Sequence, residues 1–295
     1  MRLGDLAELV RLPAVLTVPG DTLAGAAAAG WPLGRRTWAL PIASACLYWA
    51  GMALNDYADR DLDAVERPER PIPSGRVLPR QALALAAGLT AAGVGAAAAA
   101  GGRRALRVAA PLAATVWAYD LVIKRTALGP VAMATARGLD VLLGGAGQVH
   151  RAALPMAAVA AHTVGVTALS RGEVHGSRRG IAVAAFGTTV AVAVLAGLPQ
   201  PLLTGRQHPA GGVTRSDIAA AMFAATYAVT VGRAQAAAAE RPDGPTVRQA
   251  TGAGVRGLIP LQAALTARTG AVATAGALVT MGPVAKAAAK VVSPT

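Results

Sequence analysis

Residues 81–102 read QALALAAGLTAAGVGAAAAAGG, a run without one charged side chain, and residues 180–205 and 269–285 are equally free of charge. A helix standing in water needs a polar face, and none of these runs has one. A bilayer core takes about 20 mainly apolar residues per helical crossing. No period-two alternation is sustained and alanine is a poor strand former, so strands do not account for the runs. Residues 12–34 carry only Asp21, and 38–58, 105–123, 127–147, 152–170 and 216–235 supply further candidate crossings. Region 247–268 is helical in pattern but interrupted by Gly257 and Pro260. The expectation is an all-α, polytopic membrane helix bundle of about nine transmembrane helices. A tenth is added if 247–268 crosses fully, and residues 1–295 form a single integral-membrane domain.

Charge content points the same way. Charged residues make up 15% of the chain, against about 25% in soluble domains. Abundant Gly and Ala let helix backbones approach closely in lipid. The single cysteine, Cys46, excludes a disulfide framework and Cys-rich metal sites. The net charge of +13 does not indicate nucleic acid, because the bases lie scattered between apolar runs without interleaved aromatics. They fit loops held at an anionic membrane face. With the N-terminus inside, fifteen basic residues fall on the inner loops and seven on the outer, which predicts a multi-pass protein of the cell membrane with cytoplasmic N-terminus. MRLGDLAELVRLP mixes acids with bases and does not read as a signal peptide.

The most informative segment is NDYADRDLD, Asn55 to Asp63, followed by AVERPERPIPSGRVLPR. At roughly 100° per residue, Asp56, Asp59 and Asp63 share one helix face with Asn55 beside them, while Asp61 points away. Three carboxylates on one face repel each other, and they lie where the helix dipole disfavours negative charge. A bound cation accounts for them. Mg²⁺ typically takes one or two carboxylates together with substrate phosphate oxygens. Arg67, Arg70, Arg76 and Arg80 follow closely and suit a diphosphate through charge-assisted hydrogen bonds. The competing reading is a solvated loop whose acids and arginines pair among themselves. A calcium loop is excluded by Ala64 and Arg70 at the positions that need glycine and glutamate.

NDYADRDLD resembles the N-D-x-x-D-x-x-x-D signature of the UbiA-type intramembrane prenyltransferases, and RPIPSGR resembles the segment that follows it there. The resemblance implies a Mg²⁺-dependent enzyme. It would move an isoprenyl group from an isoprenyl diphosphate to a small acceptor, as yet unidentified, with release of diphosphate. Carried over by motif, Asp56, Asp59 and Asp63 hold the metal, Asn55, Arg70 and Arg76 hold the substrate, and the active-site loops are cytoplasmic. A second aspartate-rich motif is expected after the sixth span, where this chain reads LSRGEVHGSRRG. Only Glu173 there offers a carboxylate, which would serve catalysis alone while Arg171 beside it neutralises substrate phosphate, and SRGEVHG is similar to an EboC-like branch of the superfamily. WAYDLVIKRT matches the family's tyrosine followed by a basic pair, so Lys124 and Arg125 resemble diphosphate contacts. Lys124 can also pair with Asp120 at i, i+4.

Among single residues, Arg137 and Asp140 fall within a span and are read either as a buried pair or as cavity groups. Arg11 and Asp21 flank the same cavity, His162 makes a helix-to-helix hydrogen bond, and Tyr48 and Trp49 are read as packing in preference to lining the prenyl tunnel. The leading function is prenyl transfer. The alternative is a non-catalytic isoprenoid-diphosphate binder or transporter of the same fold, suggested by the weak second motif. A secondary transporter unrelated to prenyl lipids ranks below both, for want of an inverted repeat.

Overall fold

The computed structural model describes residues 2–11, 18–30, 38–199 and 212–280. The parts of the expected spans at 12–17, 31–34, 200–205 and 281–285 lie outside them. Every regular element among the described residues is a helix, in the order α1 (Leu3–Leu9), α2 (Pro19–Ala28), α3 (Leu40–Ala58), α4 (Arg60–Glu66) and α5 (Pro79–Leu121). A 3₁₀ turn, Ile123–Arg125, leads to α6 (Gly129–Gly144), α7 (Val149–Ser170), α8 (Arg179–Gly197), α9 (Arg215–Glu240) and α10 (Gly244–Ala267).

A straight helix as long as α5 would measure about 65 Å, twice a bilayer core of about 30 Å. It is not straight. Gly102 takes φ 59°, ψ −150°, a conformation that glycine adopts at little cost, and the chain turns back on itself. Trp117 Nε1 donates to Thr90 Oγ1 at 3.0 Å, so 79–101 and 103–121 lie antiparallel, as the separate runs 81–102 and 105–123 predict.

Two packed halves meet at α6. Leu40, Leu47, Ala97, Ala105, Leu112 and Leu143 join α3, both arms of α5 and α6. Val141, Val159, Val192, Tyr227, Val231 and Leu261 join α6 to α7, α8, α9 and α10. α10 packs on α9, α7 and α2, closing the bundle. α2 and α6 touch backbone to backbone. A Cβ on Gly25 would stand 1.8 Å from the Val141 carbonyl oxygen, and one on Gly144 would stand 1.9 Å from that of Thr22. This is the small-residue packing expected where lipid supplies no hydrophobic drive between helices.

Pro79–Leu121, Val149–Ser170 and Arg179–Gly197 are by length and apolarity alone able to cross a membrane. The others are shorter or carry polar groups that the bundle buries, as α6 carries Arg137 and Asp140. Region 247–268 corrects its sequence reading. Gly257 and Pro260 interrupt nothing, and α10 is continuous over 24 residues. Packed neighbours can absorb the one main-chain bond a proline removes. Of the stretch 269–285, residues 272–280 form a separate short helix beyond a turn at Gly270.

Candidate active site

Helical geometry persists through NDYADRDLD. Asp59 closes α3 and opens α4, and the bonds Asp59 N–Asn55 O and Asp63 N–Asp59 O continue across the junction at 2.9 and 2.8 Å. Asp56 and Asp63, two turns apart, therefore face one side and are both buried. The chain after α4 folds Arg70 back over them, its Nη1 3.5 Å from Asp56 Oδ1 and 2.5 Å from Asp63 Oδ2. Arg67 stands 3.7 Å from Asp63. Arg11, at the end of α1 with a left-handed backbone (φ 48°), reaches Asp56 Oδ1 at 3.1 Å. Such a φ is uncommon outside glycine and marks a position held by its surroundings.

Asp59 turns the other way, receiving Lys124 Nζ at 2.7 Å and Arg125 Nη2 at 2.9 Å. Partial burial pushes its carboxyl up, but these two bases outweigh it and hold Asp59 below the ordinary aspartate value. The i, i+4 pairing of Lys124 with Asp120 does not form. α5 ends at Leu121, and the tighter 3₁₀ turn that follows carries Lys124 off the α-helical register. Asp120 instead accepts from Asn55 Nδ2 at 3.1 Å. Asp61 is exposed, with Arg60 at 3.5 Å.

A cavity of about 290 Å³ opens beside these groups. Asn55, Met52, Arg11, Tyr119 and Asp120 line one end, Leu47, Leu112, Val116 and Met133 continue it, and Ser44, Arg137 and Asp140 line the other. Ser44, Tyr48, Gly51 and Asn55 recur at i, i+4, i+7 and i+11, one face of α3. Tyr48 thus lines the cavity rather than serving as packing, and that spacing was the available signal. Arg137 and Asp140 do not pair with each other. Arg137 Nε meets Asp21 Oδ2 from α2 at 2.8 Å, and Gln262 Nε2 donates to Asp21 Oδ1 at 2.7 Å. Asp140 accepts from Ser44 Oγ at 2.8 Å, leaving its Oδ1 buried without a hydrogen-bond partner. His162 Nδ1 lies 2.9 Å from the Tyr227 hydroxyl, the helix contact expected of it.

Two predicted groups lie apart from this cluster. Arg76 contacts Glu8 at 2.6 Å, Asp5 at 3.1 Å and the Glu69 carbonyl at 2.7 Å, clamping α1 to the loop before α5. Glu173 sits half-buried in the turn after α7. That turn reaches the aspartate mouth through Arg171, whose Nη2 donates to the Thr126 carbonyl at 2.7 Å. Among the described residues no three His, Cys, Asp or Glu side chains gather at one point, so Glu173 does not complete a carboxylate cage. The oxygen donors Asn55, Asp56, Asp59, Asp63 and Asp120 nonetheless suit Mg²⁺. That ion is usually held by one or two carboxylates and finished by substrate phosphates and water, not caged by protein.

Residues 15–241 match the UbiA prenyltransferase family. The chain belongs to that family. Among curated relatives, the digeranylgeranylglyceryl phosphate synthase of Methanopyrus kandleri is 42% identical over 107 residues, 36% of this chain and 39% of the relative. The chain thus matches about two fifths of that relative's length. A UbiA homolog from Aeropyrum pernix K1 superposes with TM-score 0.66 at 21% identity, over 85% of this chain and 96% of that one. A UbiA homolog from Archaeoglobus fulgidus, bound to DMAPP and Mg²⁺, gives 0.65 at 13%, over 92% and 99%. These structures share the UbiA fold.

Proposed function

We propose that this protein transfers an isoprenyl group from an isoprenyl diphosphate to a small acceptor, with Asp56, Asp59 and Asp63 as the metal-holding carboxylates. The observation that carries the reading is that three base-paired aspartates stand beside a largely apolar cavity, joined to it through Arg11, which lines it and holds Asp56, and through Asn55 on the same helix. Mg²⁺ bound there would supply positive charge to the departing diphosphate. Lys124 and Arg125, drawn to Asp59, and Arg70 and Arg11, drawn to Asp56, are placed to shift their donors to phosphate oxygens when substrate arrives. Arg171 adds charge from the turn after α7, and Asn55, fixed by Asp120, orients the donor at the mouth. Leu112, Val116 and Met133 keep water from the reacting carbon, which prevents hydrolysis of an allylic cation. Arg76 acts at a distance, holding α1 and with it Arg11. Glu173 assists from the second turn without making a second metal cage. The names of the curated relatives favour a glyceryl phosphate lipid as acceptor.

Purified protein with geranylgeranyl diphosphate, Mg²⁺ and geranylgeranylglyceryl phosphate tests this. Diphosphate release with a product heavier by one geranylgeranyl group, lost on adding EDTA and in Asp59→Ala, is expected. Binding of the diphosphate without release, across varied acceptors, overturns transfer in favour of a binder, a reading to which the lone Glu173 lends support.

A further inference from the structure

The outer surface between α9 and α10 carries a groove of about 610 Å³ whose lining includes Arg233, Arg248 and Arg256 and no carboxylate. All three arginines are exposed. Arg248 bonds only a neutral oxygen, the Glu173 carbonyl at 3.1 Å. Arg233 and Arg256 meet no acid within ion-pair distance among the described residues, where the ion pairs lie at the aspartate mouth, the α1 clamp and the Asp21 pair. The groove exists because small residues, Ala234, Gly252 and Ala253, line it beside the arginines. A Cβ on Gly252 would stand 3.2 Å from Arg256 Nη1.

Position along the helices turns this charge into a binding argument. Counted from the end where α9 meets α10, Arg248 lies about 6 Å, Arg233 about 10 Å and Arg256 about 18 Å along the helix axes. The opposite faces of the same helices carry Tyr227, Val231 and Leu261 into the core, so the arginines face outward, toward lipid. A cation facing lipid is costly unless it meets water or an anion. Arg256 Nη1 lies beside Gly252, one turn nearer the α9–α10 end, and long basic side chains that reach toward a helix end approach the lipid phosphates there. Arginine is also the side chain best matched to phosphate oxygens.

We infer that this groove binds the phosphate headgroup of an anionic phospholipid, with Arg233 and Arg256 holding the phosphate and Arg248 tying the site to the turn that carries Glu173. The site is separate from the cavity and does not depend on the transfer reaction.

The test uses the full chain in nanodiscs of phosphatidylcholine with or without phosphatidylglycerol, then native mass spectrometry of the lipid it retains. Wild type is expected to retain phosphatidylglycerol preferentially. The double variant Arg233→Gln, Arg256→Gln should lower that preference about thirtyfold, the scale set by two basic side chains beside anionic lipid. Arg103→Gln, at the far end of the bundle, should leave it unchanged. Equal retention of both lipids by wild type overturns the proposal, and that arm needs no variant to fold. A preference that survives the double variant also overturns it. If inorganic phosphate displaces phosphatidylglycerol at matched concentration, the groove takes free phosphate and the lipid assignment fails.

Discussion

Two acidic clusters sit at opposite ends of one cavity and are built differently. At the mouth, Lys124 is only 11% exposed, but Asp56, Asp59 and Asp63 each keep one well-exposed partner, Arg11, Arg125 and Arg67, at 40%, 65% and 53%. At the far end, Asp21 is fully buried and relies on Arg137, itself 16% exposed, while Asp140 keeps one oxygen unpaired. Partners with access to water can be exchanged for a ligand at small cost, because an exposed ion pair is worth little. Partners sealed from water cannot be exchanged. The mouth is therefore built to trade its contacts, and the far end to keep them.

The sharpest way to break this comparison is to remove the sealed base. Arg137→Ala strands Asp21 with Gln262 alone, and an uncompensated buried charge costs about 3–5 kcal/mol. The expected outcome is a large fall in thermal unfolding temperature in detergent, with partial recovery in Arg137→Lys. At the mouth, Asp56→Ala should instead leave unfolding near wild type and cut diphosphate release about 10²–10³-fold, the loss typical when one electrostatic contact to a developing charge is removed. If Asp56→Ala unfolds the protein as Arg137→Ala does, the distinction between exchangeable and fixed pairs collapses.

These clusters were unequally legible in the sequence. NDYADRDLD displays its face through local spacing, and helical geometry runs through it unbroken, so the mouth could be read from one segment. The hairpin at Gly102 was legible too, because the charge-free run 81–102 and the mainly apolar run 105–123 each match a bilayer crossing. At the far end Asp21, Arg137 and Asp140 stood out as charges within spans, but their pairings did not. Asp21 finds Arg137 more than a hundred residues away, Gln262 comes from a helix whose Gly257 and Pro260 suggested a break, and no local spacing announces either. For Lys124 the local rule was the one that failed: i, i+4 spacing offered Asp120 as an alternative to a diphosphate contact, but the chain leaves the α-helix one turn too early for that pair.

A finer contrast lies within the mouth itself. Arg70 and Arg76 occupy one loop six residues apart, yet Arg70 bridges Asp56 to Asp63 whereas Arg76 grips Glu8 and Asp5 of α1. Arg70→Ala should lower turnover about tenfold, near 1.4 kcal/mol of transition-state stabilisation, and raise the diphosphate KM. Arg76→Ala should act mainly by loosening α1, increasing proteolysis at the N-terminus while lowering turnover less. Equal losses of turnover in both would place Arg76 at the substrate after all.

The smallest effect separates the two ends by pH. Asp59 sits outside the membrane-spanning helices, and Lys124 and Arg125 hold its carboxyl below the 3.8 of a free aspartate despite partial burial. A carboxyl whose folded value is depressed stabilises the protein above the unfolded value and loses that contribution as pH falls through the folded one. The Asp59 pairing is therefore intact at neutral pH and is lost only below about pH 4. Thermal unfolding followed from pH 6 down to pH 3 should fall less steeply below pH 4 in Asp59→Asn than in wild type, and the two curves should run parallel above pH 5. A divergence that begins near neutrality would mean that Asp59 is not held ionised by its bases, and that the mouth, like the far end, is governed by burial.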